Sequence, residues 1–246
     1  MKAIQPQGYG SRFIAIVLAP LLFPQSRVVL SHLPTLPEAS GLRYGKVDGP
    51  NPLRLLVFGD STAAGVGALT QDDALAGHLA RDLAERFDCG VTWQVHARSG
   101  VTSGELRAFF LPVATTEQHD VIFLTIGVND VMQLRRKRQF ARDLATILDD
   151  LRAASPEAWI IVPGVPRMER FDSLPDPLGS ILGARAHRMN RGARQVIEGR
   201  YRVVHAKPWP IGTPGFFATD DFHPSATGYA AWARAALDFW QRRSGL

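Results

Sequence analysis

From Leu53 onward, short unbroken apolar runs alternate with longer stretches whose apolar residues recur every three or four positions. The runs are "LRLLVF" (53–58), "VTWQVHA" (91–97), "DVIFLTIG" (120–127), "AWIIVPG" (158–164) and "YRVVHA" (201–206). Their length and β-branched content predict five strands. The run at 120–127 is apolar almost throughout, as in a strand covered on both faces. Helical spacing marks "DDALAGHLARDLAERF" (72–87), with Asp72 or Asp73 as its cap, and a stretch from Arg135 to Ala154 that stops at Ser155-Pro156. Two further helices are predicted near Gly179–Gly199 and over "SATGYAAWARAALDFWQRR" (225–243). This β-α-β order predicts an α/β fold, a parallel sheet between two layers of helices. In such a sheet, ligands bind beyond the carboxyl ends of the strands.

The first 52 residues follow a different pattern. "FIAIVLAPLLF" (13–23) is apolar but interrupted by Pro20, and it is too short for the roughly 20 residues of a membrane span. It has the length of a signal-peptide core, yet "PQSRVVL" after it offers no small-x-small cleavage pattern. An export signal and a hydrophobic arm that docks on the domain or rests on a membrane surface are both open, and with them the compartment. "LPTLPEASGLRYGKVDGPNP" (33–52) reads as a linker, and 53–246 as one domain.

Composition narrows the chemistry only a little. At 246 residues with 46% hydrophobic and 21% charged content, the chain can bury a sizeable core. The net charge of +5 comes mostly from arginines scattered through predicted helices, a pattern of solvated faces rather than of nucleic-acid binding. A single cysteine, Cys89, excludes an internal disulfide, and without a histidine cluster at ligand spacing no metal site is expected.

The strand exits carry the candidate chemistry. Gly59-Asp60-Ser61 ends the first run, Ser99-Gly100 follows the second, Gly127-Val128-Asn129-Asp130 the third, and Asp220-Asp221-Phe222-His223 comes in a loop after the fifth. The architecture puts all of them on one rim. No lysine follows as a phosphate loop requires, and Gly65-Val66-Gly67 lacks the third glycine of a dinucleotide fingerprint, Thr70 standing there. A serine acts as a nucleophile when a base lies in hydrogen-bond reach and a third group orients that base. Ser61 is the candidate nucleophile. Asp220 and His223, three apart in one turn, are its candidate partners, with Asp221 as the rival orienting residue. Candidate donors to an oxyanion are the N–H of Ser61, the N–H of Gly100 and the side-chain amide of Asn129. The Gly-x-Ser-x-Gly elbow is not met, since Ala63 stands at its last position.

Together, "FGDST", "RSGVTSGEL", "IGVND" and "DDFHPSATGY" resemble, in order, the four sequence blocks of the SGNH, or GDSL-type, hydrolases. The resemblance runs from about residue 53 to 242. Thr62 departs from the leucine of the family's name, and the N-terminal arm lies outside its pattern. The resemblance implies a flavodoxin-like three-layer α/β/α sandwich on a five-stranded parallel sheet. It also implies catalysis without a cofactor through Ser61, His223 and Asp220, with an oxyanion hole from Ser61, Gly100 and Asn129. Members cleave carboxylic esters, thioesters, lysophospholipids or acetyl groups on sugars. The expected activity is therefore hydrolysis of a small acyl ester, thioester or lysophospholipid through an acyl-enzyme on Ser61. The alternatives are a carbohydrate O-deacetylase and, outside enzymes, a binding protein that keeps the fold without the reaction.

Some features stand outside that pattern. Arg185, Arg188, Arg191 and Arg194 recur every three residues, and "RRKR" (135–138) forms a second basic cluster. They read either as a solvated surface or, with the apolar arm, as a peripheral contact with an anionic membrane. Loops 171–183 and 209–217 are rich in apolar residues and are candidate walls of an acyl pocket. His78, His96, His119, His187 and His205 carry no assigned role.

Overall fold

The structure, a computed structural model, describes residues 35–245, so the apolar run at 13–23 lies outside the described residues. Six strands form one sheet: β1 (Tyr44–Val47), β2 (Leu53–Gly59), β3 (Val91–Ala97), β4 (Val121–Thr125), β5 (Trp159–Pro163) and β6 (Val203–Ala206). Their order is β1-β3-β2-β4-β5-β6. The five predicted strands are present and mutually parallel. The run of parallel strands starts inside the sheet at β2, turns one way to β3, then crosses to β4 on the other side. A crevice opens at that reversal, between the exits of β3, β2 and β4.

The sixth strand corrects the expected count. β1 comes from the stretch read as a linker and pairs antiparallel with β3, Tyr44 opposite Gln94 and Val47 opposite Val91. Its signal was hidden because it is a short, half-exposed edge strand set among Gly and Pro residues. The glycine itself has a packing reason, since a Cβ on Gly45 would lie 2.5 Å from the Trp93 ring.

The longer helices are α1 (Leu75–Phe87), α5 (Lys137–Ala154), α6 (Leu178–Ile197) and α7 (Ala226–Ser244). Short helices α2 (Ser103–Glu105), α3 (Leu111–Ala114) and α4 (Val128–Met132) follow the exits of β3 and β4, with a π turn at Leu106–Phe110 between α2 and α3. Helix α1 packs on α7, and α5 on α6, forming the outer layers. Leu55, Leu56, Val57 and Phe58 are all buried, because a central strand between two helical layers has no solvent face. Burying a ring such as Phe58 or Phe123 contributes about 1.5–3 kcal/mol. Helix α7 buries Tyr229, Trp232, Ala233, Ala236, Leu237 and Trp240, the i, i+3, i+4 stripe that its sequence predicts.

Candidate active site

Three strands end side by side: Gly59 is in register with Ala97 of β3 and with Thr125 of β4. Close approach explains the small residue at the end of β2. Gly59 has φ +156°, and a Cβ there would lie 2.0 Å from the Thr125 carbonyl oxygen. The chain then turns tightly, with Ala64 N–H donating to the Asp60 carbonyl at 3.0 Å and Val66 N–H to that of Ser61 at 3.0 Å. Asp60 is buried and anchors the turn, accepting from Thr62 N–H at 3.1 Å, Thr62 Oγ1 at 2.8 Å and Thr125 Oγ1 at 3.2 Å. Burial raises its pKa in spite of those bonds. Ser61 stays 8% exposed at the rim.

The acid–histidine loop folds onto this turn. His223 Nε2 lies 3.0 Å from Ser61 Oγ, and His223 Nδ1 lies 2.6 Å from Asp220 Oδ2. The other Asp220 oxygen accepts the N–H groups of Phe222 at 3.0 Å and His223 at 2.9 Å. One carboxylate thus both shapes the turn and meets the imidazole. Burial works against its charge, but the bonds from the His223 side chain and from the two backbone N–H groups outweigh it and hold the Asp220 carboxyl below its ordinary range. Asp221, the rival, is exposed at φ +50° and donates its N–H to the Ala218 carbonyl at 3.0 Å. Immediately after Pro224, Ser225 caps α7 by accepting from Gly228 N–H at 3.1 Å.

Gly67 is where the two loops touch. A Cβ there would lie 2.3 Å from the Pro224 carbonyl oxygen and 3.3 Å from His223 Cβ. The second glycine of the would-be dinucleotide motif is therefore a contact that lets the histidine approach. Tyr229 of α7 adds a bond from its hydroxyl to the Val66 carbonyl at 2.7 Å.

Gly100 and Asn129 lie on the neighbouring exits. Gly100 is exposed at φ +81°. Asn129 Nδ2 donates to the Val101 carbonyl at 2.9 Å, which joins the two loops and uses one of the two amide hydrogens. Beneath them, Thr102 and Glu105 form a capping box at the start of α2. Glu38 reaches the same loop from outside, its Oε1 accepting from Ser99 N–H at 2.6 Å while its other oxygen pairs with Arg43.

Sequence reasoning assigned no role of their own to Asp60, Gly67, Glu38 and Tyr229, nor to Ser103 and Asp130, whose bonds lie below this rim, and it put Arg135 with the basic cluster at 135–138. The Thr-x-x-Glu spacing of the capping box was readable. The contacts of Glu38 and Gly67 were not, because their partners are remote in the chain.

The expected acyl-pocket loops behave differently from a simple wall. Phe171 stacks on Trp209 at 5.7 Å between ring centroids, and Phe217 and Phe222 meet Phe171 edge-on at 5.1 and 5.3 Å. Phe171, Trp209 and Phe216 are buried and join the main core, Trp209 meeting Trp232 of α7 at 5.5 Å. Only Phe217 and Phe222 are partly exposed, and the Phe222 ring meets His223 at 5.2 Å. The arginine series on α6 does not form one face. Three-residue steps on a 3.6-residue turn drift by about 60° each, and Arg185 turns inward to the Arg135 carbonyl at 2.9 Å. Arg191 and Arg194 instead line an open cavity of about 790 Å³ beside β6.

The family model for the GDSL-like lipase/acylhydrolase family matches residues 57–231. A GDSL-like esterase of Mycobacterium tuberculosis is 29% identical over 195 residues, covering 74% of this chain and 59% of that protein's length. A lipase from a goat rumen metagenome superposes with a TM-score of 0.62 at 19% identity, over 78% of this chain and 97% of the other. A family two carbohydrate esterase from Clostridium thermocellum does so with a TM-score of 0.60 at 17% identity, over 81% and 67%. The structural likenesses are to the fold. With the family model covering most of its length, the chain belongs to the GDSL-like lipase/acylhydrolase family.

Proposed function

We propose that this protein is a serine hydrolase that cleaves carboxylic esters through an acyl-enzyme on Ser61. The observation that carries the reading is the unbroken line from Asp220 through His223 to Ser61, at 2.6 and 3.0 Å. In the proposed reaction, His223 Nε2 takes the Ser61 proton as Oγ attacks the carbonyl carbon, and Asp220 steadies the imidazolium that forms. The negative charge on the carbonyl oxygen is met by the N–H groups of Ser61 and Gly100 and by the free Asn129 amide hydrogen. His223 then passes its proton to the leaving oxygen, the C–O bond breaks, and the acyl group stays on Ser61. Water, deprotonated by the same histidine, releases the acid and restores the enzyme.

The half-buried ring of Phe222 against His223, with half-buried Phe217 bridged to the adjacent Pro224, favours an acyl ester, thioester or lysophospholipid with an apolar group near the reacting carbon. A carbohydrate O-deacetylase is the second reading, supported by the likeness to a solved carbohydrate esterase. Hydrolysis of p-nitrophenyl esters of increasing acyl length, set beside acetylated xylooligosaccharides, separates the two. The primary reading expects kcat/KM to rise beyond the acetyl ester, with little release of acetate from the sugar. Preference for the acetylated sugar would support the second reading. No turnover of either class would leave only a binding protein.

A further inference from the structure

The basic run at 135–138, expected on a surface, sends its first side chain inward. Leu134 stands at φ +56°, a conformation uncommon for a residue with a Cβ, and Arg135 N–H closes the turn on the Asp130 carbonyl at 2.9 Å. The guanidinium then lies below the rim. Its Nη1 donates to Asp130 Oδ1 at 2.7 Å and to Ser103 Oγ at 2.7 Å, and its Nη2 to Asp143 Oδ2 at 2.8 Å. Ser103 answers by donating its hydroxyl to Asp130 Oδ1 at 2.7 Å and its N–H to Asp130 Oδ2 at 3.0 Å. Arg107 adds a contact to Asp143 at 3.3 Å.

Asp130 and Ser103 have no exposed surface, and Asp143 is buried as well. A carboxylate so far from water persists only when it is paired and hydrogen-bonded. The position of this network matters more than its strength. Asp130 directly follows Asn129, and Ser103 lies in the same loop-and-helix segment as Gly100. The network therefore ties together, from below, the two segments that carry proposed oxyanion donors. On the upper side, the bond from Asn129 to the Val101 carbonyl does the same.

We infer that Arg135 is a positioning residue for the oxyanion hole, holding the Gly100 and Asn129 segments in register through Asp130 and Ser103. This deepens the esterase reading and rests on it. Arg135 touches no substrate; it acts by fixing where two donors point before charge develops, which is the condition for electrostatic stabilisation of a transition state.

The test compares Arg135→Met, Arg135→Lys and Ser103→Ala with wild type and with Arg138→Met, a control in the same run whose side chain is exposed. Hydrolysis of p-nitrophenyl butyrate is measured well below each variant's Tm, together with inhibition by a boronic acid that forms a tetrahedral adduct on serine. For Arg135→Met, kcat should fall by about 10–100-fold, the scale expected for donors displaced by an ångström or less, with KM nearly unchanged. Boronate affinity should weaken by a similar factor. Arg135→Lys and Ser103→Ala should fall between Arg135→Met and wild type, and Arg138→Met should match wild type. Variants with a lower Tm but wild-type kcat and boronate affinity would overturn the inference, since support of the fold alone would then suffice. Should Arg135→Met not fold, the lysine and Ser103 variants decide by the same criteria. Failure of the esterase reading itself looks different: wild type would then turn over no ester, or Ser61→Ala would retain wild-type turnover.

Discussion

On one side of Ser61, Asp220 and His223 hold each other within a single turn, through three bonds to one carboxylate. On the other side, Gly100 and Asn129 leave different strands, and their segments are fixed by side chains drawn from well-separated parts of the chain: Glu38, Ser103, Asp130, Arg135 and Asp143. The first side is built locally and the second by long-range packing. Local geometry needs little from the rest of the fold, so its substitutions should cost chemistry more than stability. A network assembled from distant segments should couple the two.

The largest effect is expected at Asp220. Asparagine can still accept the Phe222 and His223 N–H groups through its carbonyl oxygen, so the turn should survive with Tm almost unchanged. It cannot orient the imidazole in the same tautomer, and kcat should fall by about 10⁴-fold. A large loss of Tm alongside kcat in a thermal melt would show that the acid–histidine side is not self-supporting. Asn129→Ala comes next. It removes both a proposed oxyanion donor and the bond to Val101, and kcat should fall by about 10²–10³-fold with a measurable drop in Tm. Unchanged Tm would break the proposed coupling on that side.

The pH profile separates loss of activity from collapse of the acid–histidine loop. Because the Asp220 carboxyl is held below its ordinary range, its contribution to stability is complete above the unfolded aspartate pKa of about 3.9. That contribution is lost only as pH falls through the lower, folded value. At any pH above that unfolded value the loop should therefore stay closed, and whatever activity is lost on mild acidification should be lost without unfolding. Tryptophan fluorescence from the neighbouring Trp209 cluster should not report opening of the loop over the same range. Activity should return in full on neutralisation. A fluorescence change that tracks the activity loss would contradict this. The smallest effect is expected for Glu38→Gln, which keeps an acceptor for Ser99 N–H but loses the charge paired with Arg43. A decrease of about two- to fivefold in kcat, with KM unchanged, fits loosening of the Gly100 loop when a charge-assisted contact is lost. An unaltered kcat would assign Glu38 to the fold alone.

The same contrast explains what the sequence revealed. The five parallel strands were legible because each is a compact apolar run, and α7 because its buried face repeats at helical spacing. Asp220 and His223 could be paired on paper because they are three residues apart. Ser61, Gly100 and Asn129 emerged because parallel strands bring their exits to one end. The edge strand at Tyr44–Val47 was missed because half-exposed residues among Gly and Pro carry little periodicity. Arg135 was misread because a run of four basic residues gives no sign that one turns inward. Its partners are Ser103, Asp130 and Asp143, and only the fold brings them to it. Gly67 had a visible glycine but no visible reason until Pro224 was seen against it.

The central claim is that Ser61 Oγ is the nucleophile, activated by His223. The most direct test is to treat the folded protein with a fluorophosphonate and locate the adduct by intact-mass and peptide mass spectrometry. The account predicts one adduct per chain, on Ser61, formed much more slowly in His223→Ala and absent in Ser61→Ala. Undiminished labelling of Ser61→Ala, or an adduct on another residue while esterase activity is lost, would contradict it.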